Sequence, residues 1–173
     1  MKAWQAGLPL AALIGLGVLG AVQLMQKDEE SFIAKADRAA PDTVFPLLDD
    51  ETEVIGFSDP PGDQPVMVNL FASWCAPCRA EHGDITWRAE THPGQVYGLA
   101  YKDAPEATRA FLAELGNPFE TIGVDRSGQG GLDFGLTGVP ETFVISPDGQ
   151  IILHVRGPLD AERREEVSEA LSG

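Results

Sequence analysis

Val66-Met67-Val68-Asn69-Leu70-Phe71-Ala72-Ser73-Trp74-Cys75-Ala76-Pro77-Cys78 joins an almost unbroken apolar run of strand length to two cysteines separated by two residues. A run of this kind with one polar residue suits a central strand buried on both faces. The cysteine pair then opens a helix predicted over 75–91, where Pro77 at an early position forfeits only an N–H that would lack a partner anyway. A helix amino terminus presents free N–H groups and a partial positive charge, which stabilise a thiolate and lower the first cysteine below the free value of about 8.5. Cys75 is therefore the candidate nucleophile, and Cys78, one turn into the helix and shielded, is the candidate resolving thiol. Two other uses of the pair are a static disulfide and half of a zinc site. Zinc asks for four ligands, and His82, His92 and His154, the only histidines, supply no second pair at finger-like spacing. A static bond closing so short a loop constrains the unfolded chain little, so redox use is the better reading and no metal site is expected.

Outward from this segment the pattern is α/β. A strand is expected over 95–101, a helix over 105–115 with Ala107, Phe111 and Leu115 on one face, and a short apolar piece over 119–124. A glycine-rich stretch covers 128–138. Two strands over 142–145 and 151–155 flank the Pro147-Asp148-Gly149 turn, and a last helix spans 160–171. Ahead of the central strand, residues 44–48 and 53–57 read as a hairpin around an acidic turn.

The 173 residues hold one ordinary domain and a short appendage. With 43% hydrophobic and 23% charged residues the chain is neither disordered nor fibrous as a whole. The formal charge is -15, and since residues 1–27 carry only Lys2 and Lys27, the remainder holds 10 basic and 27 acidic residues, or -17. Nucleic acid is thereby an unfitting partner, because a phosphate backbone needs the opposite charge. Between Lys2 and Lys27 lie 24 uncharged residues, an apolar segment long enough as a helix to cross a bilayer core of about 30 Å. Residues 1–27 are expected to be a membrane anchor placing the main domain outside the cytoplasm, with a cleaved signal peptide as the competing reading. Residues 28–40, polar and Ala-rich, read as a linker, and 41–173 as the domain.

The segment NLFASWCAPC (69–78) resembles the active-site stretch of thioredoxin-fold proteins. With RAEH (79–82), YKD (101–103), ELGNPF (114–119), GVPETFVI (138–145) and HVRGPL (154–159), the chain resembles the CcmG/DsbE-type thiol:disulfide interchange proteins of cytochrome c maturation. The resemblance implies a thioredoxin-like fold: a central mixed sheet flanked by helices, an N-terminal hairpin extension and one N-terminal transmembrane helix. It implies that Cys75 attacks, that Cys78 resolves and that Pro140 is a cis-proline facing the site, leaving the backbone of Val139 free to pair with an extended substrate segment. Glu81, three residues after Cys78 on the same helical face, is the candidate acceptor of the resolving thiol's proton. Glu141 resembles the family's second acidic residue near the site, where a carboxylate opposes thiolate formation. Trp74 is expected to cover the disulfide as an apolar lid, compatibly with core packing. Thioredoxin's buried aspartate is replaced by Asn69. Two departures stand out, Ala100 where the family commonly has Asn and Thr137 where it commonly has Tyr. His154 reads as a structural strand residue.

The resemblance implies an inner-membrane, single-pass, periplasmic reductant of the haem-binding C-x-x-C-H disulfide of apocytochrome c, acting directly or through another thiol protein. Its own disulfide would be reset by a transmembrane donor resembling DsbD or CcdA, with electrons passing through sulfur and no cofactor required. Three other functions fit less well. They are a general reductase or isomerase of the TlpA/ResA type, a copper assembly factor, which uses C-x-x-x-C rather than C-x-x-C, and a binding module without turnover.

Overall fold

A computed structural model describes residues 33–173. In chain order its elements are β1 (Ile33–Ala34), β2 (Arg38–Ala39), β3 (Val44–Pro46), β4 (Val54–Gly56), β5 (Val66–Phe71), α1 (Ala76–Thr91), β6 (Val96–Tyr101), α2 (Pro105–Leu115), β7 (Ile122–Asp125), α3 (Gln129–Asp133), β8 (Glu141–Ile145), β9 (Gln150–Arg156) and α4 (Ala161–Ser172). Every residue of β5 is buried, as its apolar run requires. Cys75 is the N-cap of α1. Pro105 opens α2 and Gly116, at φ 94°, closes it. Asp160 caps α4 by accepting the Arg163 N–H at 3.0 Å.

The main sheet has the order β1-β9-β8-β5-β6-β7, with β2 also on β9. β5, β6 and β7 run parallel, β8 is antiparallel to β5, and β9 is antiparallel to β8. The steps β5 to β6 and β6 to β7 move in one direction, so right-handed crossovers carry α1 and α2 on the same face. One core lies on that face, where Met67, Phe71, Val144 and Val155 meet Ile85 of α1, Phe111 of α2 and Val167 and Leu171 of α4. A second core lies on the other face, where Val68, Leu70, Leu99 and Phe143 meet Phe45, Ile55 and Phe57 of the hairpin region and Phe134 after α3. The hairpin itself pairs Val44 with Gly56 and Pro46 with Val54. This is the thioredoxin-like α/β architecture with a mixed sheet.

Two features depart from the sequence reading. Part of the expected linker lies along the sheet: Ile33 pairs with Val155 and Arg38 with Ile151, on the β9 edge. β9 offers unpaired backbone groups that a neighbouring extended segment satisfies whatever its side chains are, so composition does not signal this pairing. The glycine-rich stretch contains α3, a turn of helix that propensity disfavours. It is organised by the buried Asp125 carboxylate, which accepts the N–H groups of Gly128 and Gly131, each at 2.8 Å. Gly130 is required for close approach, since a Cβ there would lie 2.1 Å from the Phe45 ring. No helix among the described residues is long and apolar enough to cross a membrane, and the expected anchor at 1–27 lies outside the described residues.

Candidate active site

β5 ends where β8 begins, because the two strands are antiparallel and Leu70 pairs with Glu141. That register brings the loop after β5, which holds the cysteines, against the loop before β8, which holds Val139 and Pro140, across more than sixty residues of chain. Cys75 and Cys78 form a disulfide with Cα atoms 5.3 Å apart, and only 4% and 3% of the two residues are exposed. Cys75 Sγ accepts the Cys78 N–H at 3.1 Å, so the first sulfur sits at the amino terminus of α1, where free N–H groups favour negative charge. The same sulfur lies 3.6 Å from the carbonyl oxygen of Val139, and the Val139–Pro140 bond is cis.

Asp103 braces this arrangement from the parallel neighbour. Its Oδ2 accepts the Ser73 N–H at 2.7 Å and the Thr108 hydroxyl of α2 at 2.9 Å, and its Oδ1 accepts the Ser73 Oγ–H at 2.8 Å. The loop leading into Cys75 is thus pinned to the start of α2. YKD pointed to this stretch without indicating the role, since the bonds depend on β6 ending beside β5. Trp74 is 60% exposed, and its indole N–H donates to the Lys102 carbonyl at 3.2 Å. Lys102 is the non-glycine residue with positive φ, 47°, among the described residues. Trp74 therefore stands exposed on the loop that leads into Cys75.

Glu81 is buried on the face of α1 that meets the sheet. Oε1 accepts the Asn69 amide at 3.1 Å and Oε2 accepts the Leu159 N–H, from the loop before α4, at 2.8 Å. The Asn69 amide also donates to Thr142 Oγ1 at 3.1 Å. Burial pushes the Glu81 carboxyl up to about 7, against the lowering effect of the two hydrogen bonds. A carboxyl at that value exchanges protons readily near neutrality. The Asn69–Thr142 link was not read from the sequence, although alternation along β8 puts Thr142 on the face of the sheet opposite to its neighbour Glu141.

Glu141 faces the other side of β8. Its Oε1 accepts the Thr137 N–H at 3.0 Å and the Thr137 hydroxyl, and its Oε2 lies 2.6 Å from His154 Nε2 on β9. Burial pushes this carboxyl up, but the bonds from His154 and Thr137 outweigh it and hold the group below its ordinary value. The bonds of Glu141 thus lead to Thr137 and His154, and those of Glu81 to Asn69 and Leu159, with strand β8 between the two networks. No cluster of three or more His, Cys, Asp or Glu among the described residues is arranged to hold a metal ion.

The Redoxin family model matches residues 35–171, nearly the whole described chain. The chain belongs to the redoxin family. Among curated proteins this redoxin is 35% identical over 153 residues to thiol:disulfide interchange protein HelX of Rhodobacter capsulatus, covering 88% of this chain and 86% of that one. It is 36% identical to the thiol:disulfide interchange protein DsbE homolog of Paracoccus denitrificans, covering 90% and 86%. Among solved structures, a thiol:disulfide interchange protein DsbE from Chlorobium tepidum superposes with a TM-score of 0.67 at 26% identity, covering 79% of this chain and 95% of that one. With the Cys75–Cys78 disulfide at the amino terminus of α1, the redoxin is a thiol:disulfide oxidoreductase of the DsbE type.

Proposed function

We propose that this redoxin is a membrane-anchored, periplasmic reductant of the haem-binding C-x-x-C-H disulfide of apocytochrome c, acting directly or through another thiol protein. Residues 1–27 serve as the anchor, no cofactor takes part, and a transmembrane donor of the DsbD or CcdA kind restores the dithiol. The observation that supports this exchange chemistry is the Cys75–Cys78 disulfide at the amino terminus of α1, with Cys75 Sγ 3.6 Å from the Val139 carbonyl oxygen and the buried Glu81 one turn after Cys78. In the reduced enzyme the Cys75 thiolate attacks one sulfur of the substrate disulfide. A mixed disulfide forms and a substrate thiolate leaves. Cys78 gives its proton to Glu81 and attacks Cys75 Sγ, closing the enzyme disulfide and releasing the second substrate thiolate. Two electrons pass from the cysteine pair to the substrate, and the substrate thiolates take up protons from water or from Glu81. The backbone of Val139, beside Cys75 Sγ, receives the substrate segment as an added strand, with Trp74 and Pro140 next to it.

The test is equilibration of the protein in thiol redox buffers, with alkylation reading the Cys75–Cys78 pair. A potential below roughly -200 mV, toward that of thioredoxin at about -270 mV, supports a reductant recharged through the membrane. A potential near about -120 mV, as in DsbA, overturns the reading in favour of an oxidant.

A further inference from the structure

The Thr137–Pro140 loop contains Gly138, where an added Cβ would meet nothing within 4 Å, so side-chain packing does little to hold it at that point. Its two ends are tied to a single carboxylate. Glu141, immediately after Pro140, accepts both the backbone N–H and the hydroxyl of Thr137 on Oε1. The remaining oxygen of Glu141 is held by His154 Nε2 at 2.6 Å. Glu141 is 1% exposed and His154 5%, so water does not substitute for either partner. The imidazole is itself fixed in plane, stacked on Phe143 with ring centroids 4.1 Å apart and an interplanar angle of 21°. The Thr137 hydroxyl reaches Glu141 directly.

We propose that His154 is a positioning residue: it anchors the Glu141 carboxylate, and Glu141 in turn ties down Thr137, so that the three-residue loop between them presents Val139 to an incoming peptide disulfide. The inference rests on the proposed strand addition at Val139, and it assigns to a buried histidine on β9 the task of setting the height of that edge over Cys75. A misplaced edge costs peptide recognition more than it costs sulfur chemistry. Only a substrate with a backbone uses the edge, which stands beside the attacking sulfur with Val139 O 3.6 Å from Cys75 Sγ.

The experiment compares the full chain in detergent micelles with His154→Leu and His154→Gln, each reduced beforehand. Two substrates are used: a synthetic peptide containing an oxidised C-x-x-C-H sequence, and a small symmetric aryl disulfide that has no peptide backbone. In His154→Leu the KM for the peptide rises about tenfold and kcat changes by less than about twofold, while the loss with the aryl disulfide is several-fold smaller. His154→Gln, which keeps an N–H donor for Oε2, recovers most of the peptide KM. Equal peptide KM values in wild type and His154→Leu overturn the proposal, as do equal losses on both substrates, which a general structural defect produces. If His154→Leu does not fold, Thr137→Val serves instead: it removes one donor to Glu141 and leaves the His154 pair intact. A peptide KM raised about threefold in that variant supports the tie, and an unchanged one overturns it. Amide exchange at Thr137 and Gly138 reads the loop without turnover. Faster exchange confined to these amides in His154→Leu or Thr137→Val supports the tie even when the wild type shows no preference for peptides, a result that would remove the strand-addition reading alone. Unchanged exchange in both variants overturns the proposal.

Discussion

Glu81 makes the strongest demand on the fold and yields the sharpest prediction. The residue is 2% exposed, and its carboxyl is raised from its ordinary 4.5 to about 7 by burial, with Asn69 and Leu159 supplying two hydrogen bonds that compensate only in part. Because the folded state holds this proton more tightly than the unfolded chain, its favourable contribution is complete below about pH 4.5 and is lost as pH rises through 7. At about 1.4 kcal/mol per pH unit, the carboxyl contributes a loss of roughly 3 kcal/mol between pH 4.5 and pH 8. Glu81→Gln removes the titration. The amide oxygen can accept the Leu159 N–H, and its NH2 group can donate to Asn69 once the Asn69 amide turns over, so the variant is expected to fold. The assay is urea unfolding of the oxidised protein at several pH values from 4.5 to 8, taking the wild-type minus variant difference so that His82 and His92 cancel. The difference should fall by roughly 3 kcal/mol across that range. In single-turnover reduction of a peptide disulfide, the variant should also lose the rise in resolution rate around pH 7. A stability difference that stays flat within about 1 kcal/mol refutes the burial argument, and with it the claim that Glu81 titrates near neutrality.

Asn69→Asp places a second carboxyl against Glu81 Oε1, now 3.1 Å from the Asn69 amide, so one of the two must stay protonated. The variant should lose at least about 2 kcal/mol relative to wild type at pH 8 and much less at pH 5, measured by the same unfolding titration. Gly130→Ala drives a Cβ to 2.1 Å from the Phe45 ring, a side chain 2% exposed and without room to retreat, and should cost about 1–3 kcal/mol, read as a Tm lower by roughly 3–10 °C. Asp103→Ala removes the acceptor shared by Ser73 and Thr108 and should cost about 1–2 kcal/mol, with amide exchange faster at Ser73 than in α4.

Much of the fold was legible because local signals were unambiguous. The apolar run at Val66–Phe71, Pro105 at the start of α2, and Pro147-Asp148-Gly149 between β8 and β9 each correspond to a single local structure with an evident cause. The two short pieces that escaped, α3 and the pairing of residues 33–34 and 38–39 with β9, are held by partners distant in sequence. Asp125 collects the amides of a glycine-rich turn, and an open sheet edge collects a polar segment. The site divides the same way. Cys75 and Cys78 announce themselves by spacing and by position at a helix start, and the spacing of Glu81 from Cys78 marks it as a candidate. That Glu81 meets Asn69 and Leu159, and that Glu141 meets Thr137 and His154, depends on strand register, because a slip of one residue in β8 would exchange the partners of the two faces.

The amino-acid sequence by itself determined the order and type of the principal elements, the cysteine pair at a helix amino terminus and the acidic balance of the chain, since these depend on hydrophobic period, capping and charge within a few residues. Only the tertiary structure decided that Val139 stands against Cys75, that Asp103 braces Ser73, and which of two nearby carboxyls rises and which is held low. Glu81 and Glu141 are the same residue type with ordinary values alike; burial outweighs the hydrogen bonds at one, and a histidine and a threonine outweigh burial at the other.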